Sequence, residues 1–316
     1  MLRKSGLILI DKPDGMTSHD VVNYIRRRLD TKRVGHTGTL DPLATGLLVM
    51  LIGRGTLLSS WLTGMNKRYA ARFVFGAVTD TYDIDGEIIS TSNPGMITDD
   101  DFEKILVKYR GEIEQIIPPY SAVKRAGKTM HKLARNGKEY NAGLKAVEIN
   151  KLEIIDFNWP EVVVDIGCSS GTYIRSLAHQ MGQELGCGGY LKALRRLEVG
   201  PFSVSEAETL ENLCKSSEPE KNIRPLRDAM PVFPSLHIKS EHCNDVSGGR
   251  PLAKKFFKEN EYKGDGEELS LLLDQDDNLL ALARMNVGWH VIDSLDPTQI
   301  IGSYVRVIDE GNTRTN

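Results

Sequence analysis

The chain opens with Leu7-Ile8-Leu9-Ile10, an apolar run of strand length, closed by the turn Asp11-Lys12-Pro13-Asp14-Gly15. From Ser18, read as the cap, to about Leu29 the apolar residues Val21, Val22, Ile25 and Leu29 recur on one stripe, which predicts an amphipathic helix. Leu47–Ile52 is continuously apolar, the signature of a strand buried on both faces. Thr56–Leu62 suits a short helix. Lys67–Gly76 alternates strictly, with Tyr69, Ala71, Phe73 and Phe75 on one face and Arg68, Ala70, Arg72 and Val74 on the other.

A turn at Thr79–Gly86 leads to a strand at Glu87–Ser90, and Thr98-Asp99-Asp100-Asp101 starts a helix with acids in its first turn. Strands follow at Gly111–Ile117, Lys145–Asp156 and Val162–Cys168. Helices are expected at Lys128–Asn136, capped by Gly137, and at Tyr173–Leu185, ended by Gly186. Links of hairpin length outnumber crossover helices, so the pattern predicts an α+β fold with a mixed, mostly antiparallel sheet and flanking helices. Between about 205 and 234 the chain turns polar and acidic, with one helix. Short strands such as Glu268–Leu273 and Leu279–Met285 follow. The expected division is a large domain, 1–233, and a small β-rich domain, 234–316.

Hydrophobic residues make up 40% of the 316, enough for a substantial core. The opening apolar run is too short for a signal peptide and no run approaches 18 residues, so no membrane span and a cytoplasmic protein are expected. Cys168, Cys187, Cys214 and Cys243 match no zinc spacing and read as reduced thiols. The net charge of −3 disfavours a polyanion partner, but its distribution does not. Residues 1–72 hold twelve Lys and Arg against five Asp, a local surplus that fits a nucleic-acid footprint. A solvated helix face would account for any one of Arg26-Arg27-Arg28, less well for all of them together.

Gly35-His36-Thr37-Gly38-Thr39-Leu40-Asp41-Pro42-Leu43-Ala44-Thr45-Gly46 joins the first helix to the buried strand. It lacks the Gly-Lys-Ser/Thr of a phosphate loop and the spacing of a dinucleotide fingerprint. Two readings stand. It is a tight turn with Asp41 as turn-former, or it presents a lone carboxylate whose direction Pro42 helps fix. Such a carboxylate can act at a sugar carbon if a nearby cation keeps it ionised. Arg175 is a candidate for that cation, or an ordinary surface arginine. Tyr69 is a candidate for stacking on a base or moving a proton, or a plain core residue. Thr79–Gly86 resembles a calcium loop but has Thr81 and Ser92 where the first and twelfth ligands belong, which excludes calcium.

The Gly35–Gly46 stretch resembles the catalytic motif of the TruB-type pseudouridine synthases, and it does not stand alone. Asp11–Asp20, Lys67-Arg68-Tyr69, Thr79–Gly86, Pro118–Lys124, Ala134–Gly137, Cys168–Leu177 and Leu194-Arg195-Arg196 resemble further motifs of that family, in its order. The resemblance spans residues 7 to 203. It implies a sheet of the pseudouridine synthase type and isomerisation of uridine 55 in the T-loop of tRNA. It also implies a flipped base, no metal and no cofactor.

By the same resemblance Asp41 is the catalytic aspartate, Tyr69 stacks on the target base and helps remove a proton, and Arg175 pairs with the aspartate. Tyr173 and Leu194 line the uridine pocket, and His36 contacts the T-loop. The C-terminal region sits where the family carries a small PUA-like RNA-binding domain, and the chain resembles the stand-alone bacterial type, a monomer with no obligatory protein partner. His131 stands where the family often has tyrosine, and Thr39 replaces a frequent alanine. Two other functions compete: an RNA binder without catalysis, and a sugar hydrolase, which needs a second carboxylate near Asp41.

Overall fold

A computed structural model describes residues 5–119, 124–125, 128–129, 143–258, 266–292 and 294–310. Its strands are β1 (Gly6–Lys12), β2 (Val34–His36), β3 (Ala44–Ile52), β4 (Lys67–Phe75), β5 (Ala77–Thr79), β6 (Ile88–Thr91), β7 (Gly111–Ile116), β8 (Lys124–Arg125), β9 (Lys128–Thr129), β10 (Leu144–Asn158), β11 (Glu161–Cys168), β12 (Gly189–Val199), β13 (Phe202–Ser203) and β14 (Glu208–Thr209). Ten of these form one sheet, ordered β14-β1-β3-β12-β4-β11-β10-β7, with β13 beside β12 and β2 beside β3. Its pairings are antiparallel except β1–β14 and β3–β12, as the α+β expectation requires.

The alternation in β4 has its expected consequence: Tyr69, Ala71, Phe73 and Phe75 are buried. They meet the helix Ile174–Glu184 through Leu177, Ala178 and Met181, and the helix Asp99–Lys108 through Phe102 and Leu106. Each fully buried side chain of this size contributes about 1.5–3 kcal/mol. The helix Ser18–Arg28 covers the neighbouring part of the sheet, packing Val21, Val22 and Ile25 on Ile8, Ile10, Leu48 and Met50.

A second sheet follows: β15 (Ser235–His237), β16 (Leu252–Ala253), β17 (Leu269–Leu273), β18 (Leu279–Met285) and β19 (Ile300–Val307), ordered β15-β17-β18-β19-β16. Leu271, Leu273, Leu279 and Leu282 of this sheet share one apolar cluster with Leu7, Leu9, Leu47, Val49 and Leu51 of the first. Glu310 ties in the connecting segment, accepting hydrogen bonds from the backbone N–H of Leu226 and of Leu279.

Several sequence expectations are corrected. The cap of the first helix is Thr17, not Ser18: its hydroxyl accepts from Asp20 N–H while the Asp20 carboxylate accepts from Thr17 N–H. Ser18 is the first helical residue and faces inward. The glycine-rich stretch is only partly loop, because Val34–His36 pairs with β3 and β3 starts at Ala44. Residues 53–63 form a 3₁₀ turn, Gly53–Leu58, before the short helix Ser59–Thr63. Lys128–Thr129 is a strand against Lys124–Arg125 rather than a helix start; the rest of the helix expected there, with its Gly137 cap, lies outside the described residues. So do Tyr120–Val123, Ala134–Gly137 and His131 of the motif segments.

Candidate active site

Asp41 stands at the end of the loop that enters β3, with its side chain 41% exposed. Three braces fix that loop. The hydroxyl of Ser18 accepts from Leu40 N–H at 2.8 Å and donates to Leu40 C=O at 3.1 Å. The ammonium of Lys12, fully buried, donates to the carbonyls of Pro13, Met16 and Pro42. Arg196, also buried, donates from Nε to Leu47 C=O at 2.6 Å and from a terminal nitrogen to Gly38 C=O at 3.1 Å. The loop is therefore held at both ends and in its middle, by side chains from the first helix, β1 and β12.

Gly46 makes the approach to β12 possible. Its φ is +98°, and a Cβ there would lie 2.2 Å from the carbonyl oxygen of Arg196. L side chains rarely take that conformation, and none fits that gap without displacing the backbone of Arg196. The parallel register it permits puts Leu194 beside Ala44, while on its other side β12 sets Leu194 beside Ala71 and Arg196 beside Tyr69. Leu194, Tyr69, Leu40, Ala44 and Ile174 fall in one buried cluster next to Asp41.

Arg175 reaches the loop from the helix Ile174–Glu184. Its side chain is 7% exposed and its Nε lies 3.6 Å from Asp41 Oδ2. A terminal nitrogen lies 3.4 Å from Asp83 Oδ2, and the same nitrogen donates to Thr81 C=O at 3.2 Å. Asp83 is buried, and burial pushes its carboxyl above the usual range against the pull of Thr81 and Arg175. Its Oδ1 accepts from the Thr81 hydroxyl at 2.6 Å and from Asp85 N–H at 3.2 Å. The Thr79–Gly86 turn is thus not a calcium loop but a carboxylate-bearing arm: Tyr82 and Ile84 hydrogen-bond to Leu191, docking it on β12.

Tyr173 caps that helix. Its backbone N–H and C=O exchange hydrogen bonds with the amide of the fully buried Gln115, at 2.7 and 2.8 Å. Its ring is partly exposed. Tyr69 is buried, which pushes its hydroxyl upward, while Arg196 works in the opposite direction. His36 accepts at Nδ1 from Gly38 N–H; burial, helped by the charge of Arg196, pushes its imidazole downward and keeps it neutral near pH 7. Beside this group a cleft of about 460 Å³ opens, lined by Leu43, Leu194, Ile84, Arg72, Lys192 and Arg195 among others.

The structure brings Asp41, Tyr69, Arg175 and Leu194 together, with Tyr173 beginning the helix that carries Arg175 and His36 entering from β2. Sequence reasoning missed four contributors: Asp83, Lys12, Ser18 and Arg196. Asp83 lay in view as a turn carboxylate, but only the fold shows it facing Arg175. Nothing in the local sequence marks a lysine or arginine as buried.

Comparison with known proteins gives the class. The description "TruB family pseudouridylate synthase (N terminal domain)" matches residues 26–174, and "tRNA pseudouridylate synthase B C-terminal domain" matches residues 175–230. A tRNA pseudouridine synthase B of Aquifex aeolicus is 38% identical over 273 residues, 83% of this chain and 95% of that protein. One of Alkaliphilus oremlandii is 37% identical over 308 residues, 96% of this chain and 97% of its own. Among solved structures, a Cbf5-Nop10-Gar1 complex contains a chain with a TM-score of 0.71 at 26% identity, covering 96% of this chain and 85% of that one. The chain is a tRNA pseudouridine synthase by class, an isomerase that converts uridine to pseudouridine. It belongs to the TruB family.

Proposed function

We propose that the uridine isomerised is position 55, in the T-loop of tRNA, and that Asp41 is the catalytic carboxylate acting at its ribose. In this reading Tyr69 stacks on the target base and helps remove its proton, and Arg175 pairs with Asp41 and aims it. Tyr173 and Leu194 line the uridine pocket, and His36 contacts the T-loop. The observation that carries it is the Arg175–Asp41 pair beside the buried cluster that holds Tyr69 and Leu194, with Leu194 also lining the neighbouring cleft. Four residues far apart in sequence are brought together there.

The physics of the substrate agrees. C1′ and C5 of a stacked nucleotide are out of reach, so the base is extruded at a cost of a few kcal/mol that contacts to the loop offset. The cations of the first 72 residues supply phosphate contacts. RNA affinity is therefore expected to fall by about tenfold or more between 50 and 200 mM salt, measured by filter binding. A salt-independent affinity would contradict this.

The buried Asp83 argues against a hydrolase, because a carboxylate 5% exposed and paired to Arg175 has no room to activate a water. Its work in this reading is to orient Arg175. Asp83→Asn keeps the acceptor for Thr81 and Asp85 but removes the charge facing Arg175. We expect single-turnover pseudouridine formation to fall by roughly 10- to 100-fold with RNA affinity nearly unchanged.

The C-terminal residues 234–316 form a PUA-like RNA-binding domain in the same reading, and the chain acts as a cytoplasmic monomer without an obligatory protein partner. Among the described residues no helix is long and apolar enough to cross a membrane. The test is genetic. Deleting the gene should remove pseudouridine from position 55 of cellular tRNA, and the intact gene, but not an Asp41→Asn copy, should restore it. Retention of that pseudouridine in the deletion strain would overturn the reading.

A further inference from the structure

Lys12, Lys67 and Arg196 lie beneath the catalytic loop, 0%, 7% and 2% exposed. Among the described residues none of the three forms an ion pair with a carboxylate within 4.0 Å. Each is satisfied by backbone carbonyls instead: Lys12 by Pro13, Met16 and Pro42, Lys67 by Thr63 and Met65, Arg196 by Gly38 and Leu47. Burying a cation with no carboxylate in contact is costly, and burying three near one another more so, although Asp14 and Asp41 lie close enough to offset part of the cost at Lys12. Burial, aided by the repulsion of Arg196, pushes Lys67 down to about 8, and burial pushes Lys12 down as well against the pull of Asp14 and Asp41.

Arg196 is the centre of this group. It is bonded to the first and last parts of the span Gly38–Leu47, which contains Asp41, and it sits opposite Tyr69 across the β4–β12 ladder. One guanidinium thus relates the carboxylate's loop to the tyrosine's strand. A neutral side chain could bridge two carbonyls at lower cost, so the charge itself calls for an explanation.

The reaction supplies one. When the N1–C1′ bond breaks, its electron pair departs with the uracil. The detached base carries negative charge until C5 bonds to C1′, the C5 proton leaves and N1 takes up a proton. A fixed, desolvated positive potential under the site stabilises that charge without reorganising.

We propose that Arg196 is a positioning residue of the isomerisation, holding the Asp41 loop at both ends against the Tyr69 strand, and that with Lys12 and Lys67 it forms a buried cationic floor favouring the charge that develops on the base. The inference rests on the reading of Asp41 and Tyr69 given above.

The test compares wild type, Arg196→Met, Arg196→Lys and Lys67→Met on an unmodified tRNA transcript, recording melting temperature, RNA Kd and the single-turnover rate under saturating enzyme. For Arg196→Met the rate should fall by about 100-fold with Kd within about threefold of wild type. Arg196→Lys keeps the charge and should recover about tenfold of that loss. Lys67→Met should slow the reaction by roughly 3- to 10-fold. Should Arg196→Met not fold, the lysine variant and Lys67→Met still decide. Variants that melt earlier but react at the wild-type rate would show a purely structural role and overturn the inference. An active wild type with such variants sinks this inference alone, whereas an inactive wild type sinks the reading beneath it as well.

Discussion

Asp41→Asn should leave a folded protein that binds tRNA and forms no measurable pseudouridine, a loss of roughly 10³- to 10⁵-fold in single-turnover rate. The substitution keeps the shape of the side chain and removes its charge. The fold has little stake in that charge. Asp41 is 41% exposed, and its one ion pair among the described residues, to Arg175, is long at 3.6 Å. The loop is held by Ser18, Lys12 and Arg196 through backbone atoms, none of which the substitution touches. Stability should therefore change by less than about 1 kcal/mol. Circular dichroism and RNA binding near wild type, with chemistry lost, is the expected pattern. An asparagine variant of wild-type rate would remove Asp41 from the mechanism.

Gly46→Ala should do the reverse and damage the fold first. At φ +98° an alanine is strained by about 1–3 kcal/mol, and its Cβ would press against the Arg196 carbonyl oxygen at 2.2 Å and nitrogen at 2.8 Å. Those atoms belong to a strand paired on both sides, so they cannot retreat without opening the β3–β12 register. The total cost is expected near 3–5 kcal/mol, a fall in melting temperature on the order of 10 °C, followed by calorimetry. Activity in the remaining folded fraction should also drop, because the same register places Leu194 beside Ala44 and Arg196 under the loop. A variant that melts within 2 °C of wild type would show that the strands part more easily than their packing implies.

The alternation around Tyr69 and the continuous apolar run from Leu47 were legible because each is a local consequence of which faces of a strand are buried. The helix Ile174–Glu184 was legible from its closing glycine, and each of its ends was missed by one residue. Position 175 could be placed on that helix, but not its inward direction, since a lone arginine reads as a surface residue until the opposing sheet is known. Asp83 illustrates the same limit. Its turn was visible, yet its meeting with Arg175 depends on docking against Leu191, more than a hundred residues away. The central strand Gly189–Val199 has Lys192, Arg195 and Arg196 set among its apolar residues, and this obscured both its burial and its alternation. A buried arginine satisfied by carbonyls leaves no trace in any local pattern. The shared core between the two sheets was hidden for a related reason: a composition shift marks a change of texture, not whether two sheets pack together.

The account's central claim is tested most directly by incubating the purified chain with an unmodified tRNA transcript and mapping pseudouridine at single-nucleotide resolution. One new pseudouridine, at position 55, with no free uracil released, is the predicted result. Pseudouridine at another position, release of uracil, or tRNA bound but unmodified would contradict it.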